Sequence, residues 1–496
     1  MRPASLVLVI GALLAQPPAG VLAQQPASSS ATSLDYEFFK TRVQPVFLAK
    51  RPGHPRCISC HRDIASFRME PLSPGATTWN EEQSRKNFEA ARRMVVPANL
   101  RTSRLLLMPL RWEAGGTPFH FGGKHWDSAN DPEWQILAAW VRGEKDLAVE
   151  PAVRPQPAGG APPRRAAVAA SGPGLKVRII QTNGAGDNLH IIDPVTDTVV
   201  AEITGIEVNH GAAVPPDGSR IYVSNEADHT LDVVDAKSLK VTKQIPLTAR
   251  PNNIAITRDG RKVYVAINFA PGGVDVIDTT SLTKSKNIAL NGVTIHNPFV
   301  TPDGKYLVAA SGSAQTRIAT VIDTQTDQPV WSIEFEEGTS IRPLTFTTNP
   351  DGSTKWMLVN LAGLNGFAVV DFATHKEIKR IRNPYAGGDL RASIFSAGQT
   401  IPSHGVFVAP DGRSAWVSSR WDNCVYAYSL PDLKLIGYVP VGADPMWMTF
   451  TPDSRKLYVA SNAAATVSVV DTAAMKELTR IPVGQGPRRN ITAMLP

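Results

Sequence analysis

Short runs of alternating apolar and polar residues recur through the C-terminal part of the chain. Segments such as IYVSN, VYVAIN, YLVAAS and LYVASN each follow a turn of the Asp-Gly or Asp-Ser type. Period-two alternation of β-branched residues is typical of half-buried strands, and Asp-Gly is typical of the tight turn that joins two of them. Six turn aspartates lie 42, 44, 48, 60 and 42 residues apart, namely Asp217, Asp259, Asp303, Asp351, Asp411 and Asp453. That spacing is the period of a propeller blade.

The repeat predicts an all-β seven-bladed β-propeller over residues 175–496. Six full units run from about 209 to 486, the partial unit 176–203 lacks a first strand, and the tail 488–495 is a lone first strand. The two ends therefore complete a seventh blade, which removes the exposed sheet edge. The blade text YVSNEADHTLDVVDAKSLKVTKQIPL resembles the YVTN-type β-propeller family. That resemblance implies a fold and leaves the function open.

One position in each innermost strand is selected by counting back seven residues from the turn aspartate, or by strand alignment where the turn differs. We expect these positions to form a ring at one mouth of the channel: His210, Asn252, His296, Arg342, His404, Met446 and Arg488. Three imidazoles with an open position suit copper, or zinc with a bound water. The two arginines favour a small anionic substrate. The catalytic candidates are therefore His210, His296, His404, Arg342 and Arg488, and a plain polar channel lining is the alternative.

The N-terminal part has the periodicity of helices. Residues 33–50 form an amphipathic pattern, Asn80 with Gln83 is typical of a capping box, and Asp131 followed by Pro132 is a typical helix start. These signals predict a small all-α domain over residues 33–148. The Pro-, Ala- and Gly-rich segment 149–174 that follows is expected to be a linker.

The helical domain contains the motif Cys57-Ile58-Ser59-Cys60-His61. C-x-x-C-H is the attachment signature of c-type haem, in which two thiols bind the haem covalently and the histidine is the proximal iron ligand. Zinc is disfavoured because Cys424, the third cysteine of the chain, stands alone in the other domain. We therefore predict one covalent haem c and a class I-like cytochrome c domain.

The distal iron ligand is less clearly indicated. The segment SRLLLMPLRWEAGGTPFHFGGKHWDSANDPEWQILAAWVRG resembles planctomycete-type cytochrome c domains, in which a His-Gly-Gly segment precedes a helix with a Pro-Glu-aromatic sequence. By that resemblance His120 is the distal ligand. Met108, which precedes a proline, is the alternative, and His125 is a third option.

Composition bears on compartment and partners. One basic residue, an apolar run and small residues at Val21 and Ala23 predict a signal peptide over residues 1–23. No later segment is apolar enough to span a membrane, and the net charge of +7 is not concentrated in a nucleic-acid-binding block. A soluble periplasmic or secreted protein that needs a periplasmic redox partner is expected.

The remaining candidates receive structural interpretations. His190, His229 and His375 are expected on the surface, and Cys424 is expected to be a buried, inert thiol. The insertion 383–403 runs directly into His404 and is long enough to serve as a lid.

Two functions fit these observations. The first is an exported c-type haem protein in electron transfer, a periplasmic oxidoreductase with a metal or substrate site at the ring. The alternative is a non-catalytic electron carrier fused to a protein-binding propeller, so the sequence leaves enzymatic activity open.

The architecture resembles cytochrome cd1 nitrite reductases, although seven blades rather than eight count against that relation. It also resembles copper enzymes such as nitrous oxide reductase or thiocyanate dehydrogenase, for which three histidines are too few, whereas quinoprotein dehydrogenases lack support from any tryptophan docking motif.

Overall fold

The structure is a computed structural model that describes residues 33–63, 67–117, 120, 122–145, 174–291, 293–311, 316–335, 340–384 and 401–496. The predicted signal peptide, all but the last residue of the predicted linker, and most of the insertion 383–403 lie outside the described residues. Two units are described, a helical unit over residues 33–145 and a propeller over residues 174–496.

The propeller consists of seven four-stranded antiparallel sheets, as the sequence predicts. Within each full blade the strands follow one another from the channel outward. The first three blades are β4 to β7 (Asn209–Ala213, Arg220–Asn225, Thr230–Asp235, Val241–Pro246), β8 to β11 (Pro251–Ile256, Lys262–Ile267, Val274–Asp278, Thr283–Ile288) and β12 to β15 (Ile295–Val300, Tyr306–Ser311, Ile318–Asp323, Gln328–Glu334). The next three are β16 to β19 (Ile341–Thr348, Thr354–Leu361, Gly366–Asp371, Lys376–Arg382), β20 to β23 (Ser403–Val408, Ser414–Ser419, Cys424–Ser429, Leu435–Pro440) and β24 to β27 (Pro445–Phe450, Lys456–Ser461, Thr466–Asp471, Lys476–Pro482).

Both ends of the propeller complete the seventh blade, which confirms the predicted closure. The C-terminal strand β28 (Pro487–Leu495) pairs with β1 (Lys176–Asn183), which continues to β2 (Asn188–Asp193) and β3 (Thr198–Thr204). The pairing is antiparallel and places Ile180 opposite Ile491. The propeller is therefore closed by backbone hydrogen bonds between its first and last strands. Because β28 pairs with β1, the inner edge of β1 is not exposed.

Apolar side chains fill the space between neighbouring blades. Inner strands carry continuous buried runs such as Ile221 to Val223 and Val263 to Ile267, whereas the outermost strands are largely exposed. The turn aspartates act as predicted at the first reversal, since Oδ1 of Asp217 accepts a hydrogen bond from the backbone N–H of Ser219. Gly218, at φ 65°, adopts the left-handed conformation that this turn requires.

The helical unit encloses a separate apolar core around Phe39, Trp126, Leu137 and Trp140. Its helices are α1 (Tyr36–Phe38), a π-helical turn (Phe39–Val43), α2 (Gln44–Leu48), α3 (Cys57–His61), α4 (Glu81–Arg92), α5 (Arg104–Leu107), a 3₁₀ turn (Trp112–Ala114) and α6 (Pro132–Arg142). The first three segments are continuous and correspond to the helix predicted over 33–50.

The predicted helix starts are present. Oδ1 of Asn80 accepts a hydrogen bond from the backbone N–H of Gln83 at 2.9 Å, and Gln83 returns the interaction to Asn80, which completes the capping box. Oδ1 of Asp131 accepts from the N–H of Glu133, with Pro132 in the first turn of α6. Local signals thus determined where these helices begin.

Candidate functional site

The Cys57–His61 segment forms a short helix at the boundary between the helical unit and the propeller. Cys60 is buried and packs with Val208 and Ala227 of the propeller. A side chain on Gly122 would begin 3.9 Å from Sγ of Cys60 and 3.4 Å from the His120 ring, so the glycine leaves space beside both groups. The predicted haem-binding Cys60 therefore lies at the boundary between the two units.

His120 faces the ring of His61 across this space. Their ring centres are 6.1 Å apart and their planes differ by 25°. Two imidazoles that bind one iron from opposite sides have ring centres about 6 Å apart, because each metal–nitrogen bond is about 2 Å and each ring adds about 1 Å. The pair therefore fits the two axial positions of a haem.

Both rings are oriented by a backbone carbonyl. Nδ1 of His61 donates to the carbonyl of Phe67 at 2.7 Å, and Nδ1 of His120 donates to that of Gly123 at 2.6 Å. A carbonyl partner at Nδ1 leaves Nε2 unprotonated, which is the usual arrangement of a metal-binding histidine. Burial lowers the pKa of His61, and burial together with the nearby His61 lowers the pKa of His120 to about 4, so both rings are neutral at pH 7.

The two other candidates for the distal ligand lie nearby. Met108 follows α5, and its sulfur is 3.5 Å from Oγ1 of Thr117. His125 is buried, and its ring contacts both the His120 ring, at 6.2 Å between centres, and the His54 ring, at 5.2 Å. The ring of His120 lies at the distance from the His61 ring that a shared iron would require. Its assignment as a ligand stays a prediction.

The seven predicted ring positions occupy equivalent places in the fold. Each is the second residue of an innermost strand, and we call the set the mouth ring: His210, Asn252, His296, Arg342, His404, Met446 and Arg488. The ring centres of His210 and His296 are 6.2 Å apart, and those of His296 and His404 are 6.4 Å apart. The three histidines thus meet, as expected from the repeat.

A buried carboxylate, Glu226, organises one side of the mouth ring. It accepts from Nδ1 of His210 and forms an ion pair with Arg250, and Nη1 of Arg488 lies 3.8 Å from it. Burial raises the pKa of Glu226, but Arg250 and His210 outweigh that effect and hold it well below its usual value. Glu226 is therefore an ionised acceptor inside the protein.

Buried arginines outnumber their acidic partners in this region. Arg420 pairs with Asp444 at 2.5 Å, whereas Arg342 is 9% exposed and its Nε has no hydrogen-bond partner within the described residues. Burial and the nearby Arg420 lower the pKa of Arg342 to about 10. Arg489 stacks on the ring of Trp447 at 3.6 Å and is also buried. Uncompensated buried guanidinium groups favour an anionic ligand.

The same environment fits copper poorly. Three imidazoles that share one tetrahedral or trigonal ion have ring centres about 5 Å apart, which is closer than the 6.2 and 6.4 Å observed here. Among the described residues no group of three or more His, Cys, Asp or Glu side chains is arranged to hold a metal ion. The adjacent Arg342 and Arg489 would also repel a divalent cation.

The helical unit docks directly on the mouth through residues that follow the haem motif. Nη2 of Arg62 donates to the carbonyl of Ala227 at 2.9 Å, and Oδ2 of Asp63 lies 3.1 Å from Nε2 of His229 and 3.8 Å from Nη1 of Arg250. His229 is thus half-buried at the inter-domain contact. The expectation that it is a plain surface residue is wrong, because its partners belong to a domain whose position the repeat does not specify.

A second inter-domain contact centres on Glu207. Its carboxylate accepts from Nζ of Lys50 at 2.6 Å, from Nε of Arg56 at 3.2 Å and from Oγ of Ser59 at 2.5 Å. Lys50 also lies 3.1 Å from Asp187. Elsewhere along the boundary, the side-chain amide of Gln485 in the propeller accepts from the backbone N–H of Lys124 at 2.7 Å and donates to the carbonyl of Lys124 at 2.9 Å. The contact is therefore specific and largely polar.

The remaining candidates are His190, His375 and Cys424, and their contacts are typical of structural residues. His375 is exposed and stacks on Trp331 at 4.1 Å, as expected of a surface residue. The same expectation is wrong for His190, whose side chain is 13% exposed and accepts at Nδ1 from the backbone N–H of Gly484 at 3.2 Å. Cys424 is buried, and burial raises the pKa of its thiol to about 12, in keeping with an inert thiol.

Sequence reasoning missed Glu226 and Arg250, although a signal was available. Glu226 and Arg420 each lie nine residues after a turn aspartate, and their partners Arg250 and Asp444 each lie two residues before a mouth-ring position. The two ion pairs therefore occupy the same two repeat positions with their charges exchanged. Alignment of the residue after each second strand would have found both.

Comparison with known proteins extends this description. The family model of the cytochrome D1 heme domain matches residues 177–494. The chain is 22% identical over 291 residues to "Protein NirF" of Pseudomonas aeruginosa, a match that covers 55% of this chain and 69% of the relative.

No helix within the described ranges is long and apolar enough to cross a membrane.

Solved structures agree on the fold. Hydrazine synthase of Kuenenia stuttgartiensis aligns with a TM-score of 0.52 at 22% identity, over 62% of this chain and 99% of that one. A "putative 6-phosphogluconolactonase" of Bacteroides fragilis aligns with a TM-score of 0.53 at 16% identity, over 66% of this chain and 99% of that one. At this level of identity the likeness supports the propeller fold alone.

The family match changes one conclusion drawn from the repeat. On the sequence alone, seven blades count against a relation to the cd1 proteins, but the match spans nearly the whole propeller. Blade number therefore does not separate this chain from that group. The chain belongs to the cytochrome D1 heme domain family.

Proposed function

We propose that the protein is a periplasmic electron-transfer protein with one covalent haem c in its helical unit and an anionic redox ligand at the mouth ring. Membership of the cytochrome D1 heme domain family favours a carboxylated tetrapyrrole of the d1 type as that ligand. The observation that carries the proposal is the position of the haem-attachment motif. Asp63, two residues after His61, lies 3.8 Å from Arg250 at the edge of the mouth ring.

The helical unit supports a covalent haem through its own residues. Cys57 and Cys60 supply two thiols, and the carbonyls of Phe67 and Gly123 orient His61 and His120 with Nε2 available. A haem bound there supplies one-electron chemistry. Ligation by two neutral imidazoles gives a lower potential than ligation by His and Met, because a thioether raises it.

The mouth ring supports an anionic ligand through its surplus of positive charge. Arg342 and Arg489 are buried near His296 and His404 and contribute cationic groups without a full set of acidic partners. A ligand with carboxylate groups would neutralise them and accept their N–H groups. Glu226 offsets part of the positive charge of Arg250 and Arg488 on the side of the ring nearest to the helical unit.

The contact between the helical unit and the propeller bears on the chemistry available at the mouth ring. Cys60 packs against Val208 and Ala227 of the propeller, and the ring histidines are between 6% and 8% exposed. The ring is therefore shielded from water, and electrons can pass over a short distance between the two units. A scaffold function on this face of the propeller is less well supported, because the helical unit already contacts it through Arg62 and Asp63. Copper, the other ligand expected from the sequence, fits poorly for the reasons of spacing and charge given above.

The proposal can be tested on full-length protein matured with its haem in a bacterial periplasm. Iron and copper per chain would be measured first, followed by titration with isolated haem d1 and, separately, with haem b. Haem d1 binding and its reduction by the dithionite-reduced haem c would be followed by absorbance. His375→Ala provides a matched control, because His375 stacks on Trp331 away from the mouth.

The expected result is one covalent haem iron, negligible copper and haem d1 binding that is lost in a His210/His296/His404 triple alanine variant but kept in the control. Rapid oxidation of reduced haem c on addition of the ligand would support electron exchange between the sites. A protein that contains no covalent haem, or that does not bind haem d1, would contradict the proposal. Bound copper that disappears in the triple variant would replace it with a copper-dependent site.

A further inference from the structure

The three histidines of the mouth ring differ in the partner of Nδ1. Nδ1 of His210 contacts the carboxylate of Glu226, and Nδ1 of His404 lies 3.0 Å from the carbonyl of Met446. Carboxylate and carbonyl oxygens can only accept. The donors Nδ2 of Asn252 and Nη1 of Arg488 also approach Nδ1 of His210, but at 3.4 Å they are farther away than the carboxylate, so both rings carry their proton on Nδ1. Each therefore presents an unprotonated Nε2.

His296 has the opposite arrangement. Its Nδ1 lies 2.5 Å from Nδ2 of Asn297, which is a donor. The orientation of the Asn297 amide is determined independently, because its Oδ1 accepts from Nη2 of Arg489 at 2.9 Å and from Nδ2 of Asn253 at 3.3 Å. The amide N–H₂ must therefore point to His296, and the proton of this neutral ring is on Nε2.

We infer that His296 is a fixed hydrogen-bond donor that recognises an anionic oxygen of the ligand, and that Asn297 is the positioning residue that holds its tautomer. Arg342 is the adjacent cation with an unused Nε–H, so a carboxylate or other oxyanion would accept from both groups. His210 and His404 offer acceptors on their sides of the ring. The inference rests on the proposed anionic ligand for its chemistry, whereas the tautomers are properties of the protein alone.

Neutral histidines are needed for this distinction, and the surroundings provide them. Burial lowers the pKa of His296 well below its usual value, and Arg342 and Arg489 lower it further. Burial and nearby arginines act in the same direction on His404. For His210, burial outweighs Glu226 and lowers the pKa to about 4. At neutral pH all three rings have one proton and a defined tautomer.

Asn297→Asp is the sharpest test because a carboxylate accepts and cannot donate. The variant keeps an acceptor for Arg489 and requires His296 to move its proton to Nδ1, which leaves Nε2 without a hydrogen to offer. The matched control is Asn490→Asp, which adds the same charge next to Arg489, lies outside the mouth ring and contacts the carbonyl of Tyr458 rather than an imidazole. Asn297→Leu removes the donor without adding charge and covers the case in which the aspartate variant folds poorly.

Tautomers would be read from two-bond ¹H–¹⁵N spectra of full-length, ¹⁵N-histidine-labelled protein with its haem reduced and diamagnetic. Loss of signals in His296→Gln assigns the resonances. We expect His296 protonated at Nε2 in the native protein and in Asn490→Asp, and at Nδ1 in Asn297→Asp. His296 protonated at Nδ1 in the native protein, or unchanged by Asn297→Asp, would overturn the inference.

Anion recognition would be measured in the same spectra by titration with sodium acetate. Loss of a hydrogen bond to a charged acceptor predicts a dissociation constant raised about tenfold or more in Asn297→Asp, and a much smaller change in Asn490→Asp. Equal weakening in both variants would overturn the recognition role, because charge alone would then explain it. Native protein that shows the expected tautomers and binds no acetate would contradict the proposed anion site and leave the tautomer assignment intact.

Discussion

Nη1 of Arg250, in the propeller, lies 3.8 Å from Oδ2 of Asp63, in the helical unit. Arg250 also pairs with Glu226, which accepts from Nδ1 of His210. A continuous series of charged groups therefore leads from the haem-attachment motif to the mouth ring. Because removal of one partner leaves the other charge buried, each member of this series depends on the others.

Glu207→Gln should weaken the docking of the helical unit. Glu207 accepts three polar contacts from Lys50, Arg56 and Ser59, and a neutral amide cannot match them. A loss of about 1–3 kcal/mol is expected for hydrogen bonds to a buried charged group. The measurements are the radius of gyration from small-angle scattering and the rate of proteolysis within residues 149–174. Glu477→Gln is the control, since Glu477 forms a surface pair with Arg480, and equal behaviour of the two variants would argue against the role of Glu207.

The same contact should weaken in acid. Burial raises the pKa of Glu207, but hydrogen bonds from Lys50 and Ser59 outweigh burial and lower it below its ordinary value of 4.5. A carboxylate whose folded pKa is depressed stabilises the folded state above its ordinary pKa and loses that contribution as pH falls further. Proteolysis within residues 149–174 should therefore accelerate below about pH 4.5 in the native protein, and much less in Glu207→Gln. The same acid response in the variant would assign the effect to other groups.

The mouth ring was predictable because the turn aspartates provide a fixed reference in each repeat. Counting from them selected His210, His296 and His404, and strand pairing places all three at equivalent positions. The closure of the propeller was predictable for a related reason, since the missing first strand near 176 matched the extra strand near 488. Both conclusions depend on local pattern alone.

The surroundings of the ring were not predictable in this way. Glu226 and His229 acquire their partners from other blades or from the helical unit, so their roles follow from packing between distant segments. The sequence of residues 149–174 predicts a linker and does not specify how the two units meet. The tautomer of His296 likewise depends on an amide whose orientation is set by Arg489, 192 residues away along the chain.

His120→Met should raise the reduction potential of haem c, because replacement of an imidazole by a thioether favours the reduced iron. A change on the order of 0.1 V is expected, within the span of about 0.8 V that axial ligands produce. Met108→Leu should leave the potential within experimental error. Redox titration monitored by absorbance measures both. The opposite result would assign the distal position to Met108. In that case the reduction potential would fall, or the haem absorbance spectrum would change, in Met108→Leu, and neither would change in His120→Met.

Thiol counting should distinguish covalent haem from a haem that is merely bound. The proposed covalent haem would consume Cys57 and Cys60 in thioether bonds, and Cys424 is buried with its pKa raised to about 12 by burial. The native holoprotein should therefore show no reactive thiol at pH 8, and the denatured holoprotein should show one. Denatured protein produced without haem attachment should show three, and Cys424→Ser holoprotein should show none in either state. Three thiols in the denatured holoprotein would rule out covalent attachment.

Arg342→Met should stabilise the protein while it weakens anion binding. Burial and Arg420 lower the pKa of Arg342 to about 10, so the folded state carries an unfavourable buried charge at every pH below that value. Its removal should raise the free energy of unfolding by about 1–3 kcal/mol, as found when buried charges are replaced by apolar groups of similar volume. Thermal unfolding and acetate titration measure the two effects, with the exposed Arg261→Met as control. A variant that loses both stability and anion affinity would indicate a structural partner for Arg342, whereas a gain in stability with a loss of affinity is what a ligand-binding arginine requires.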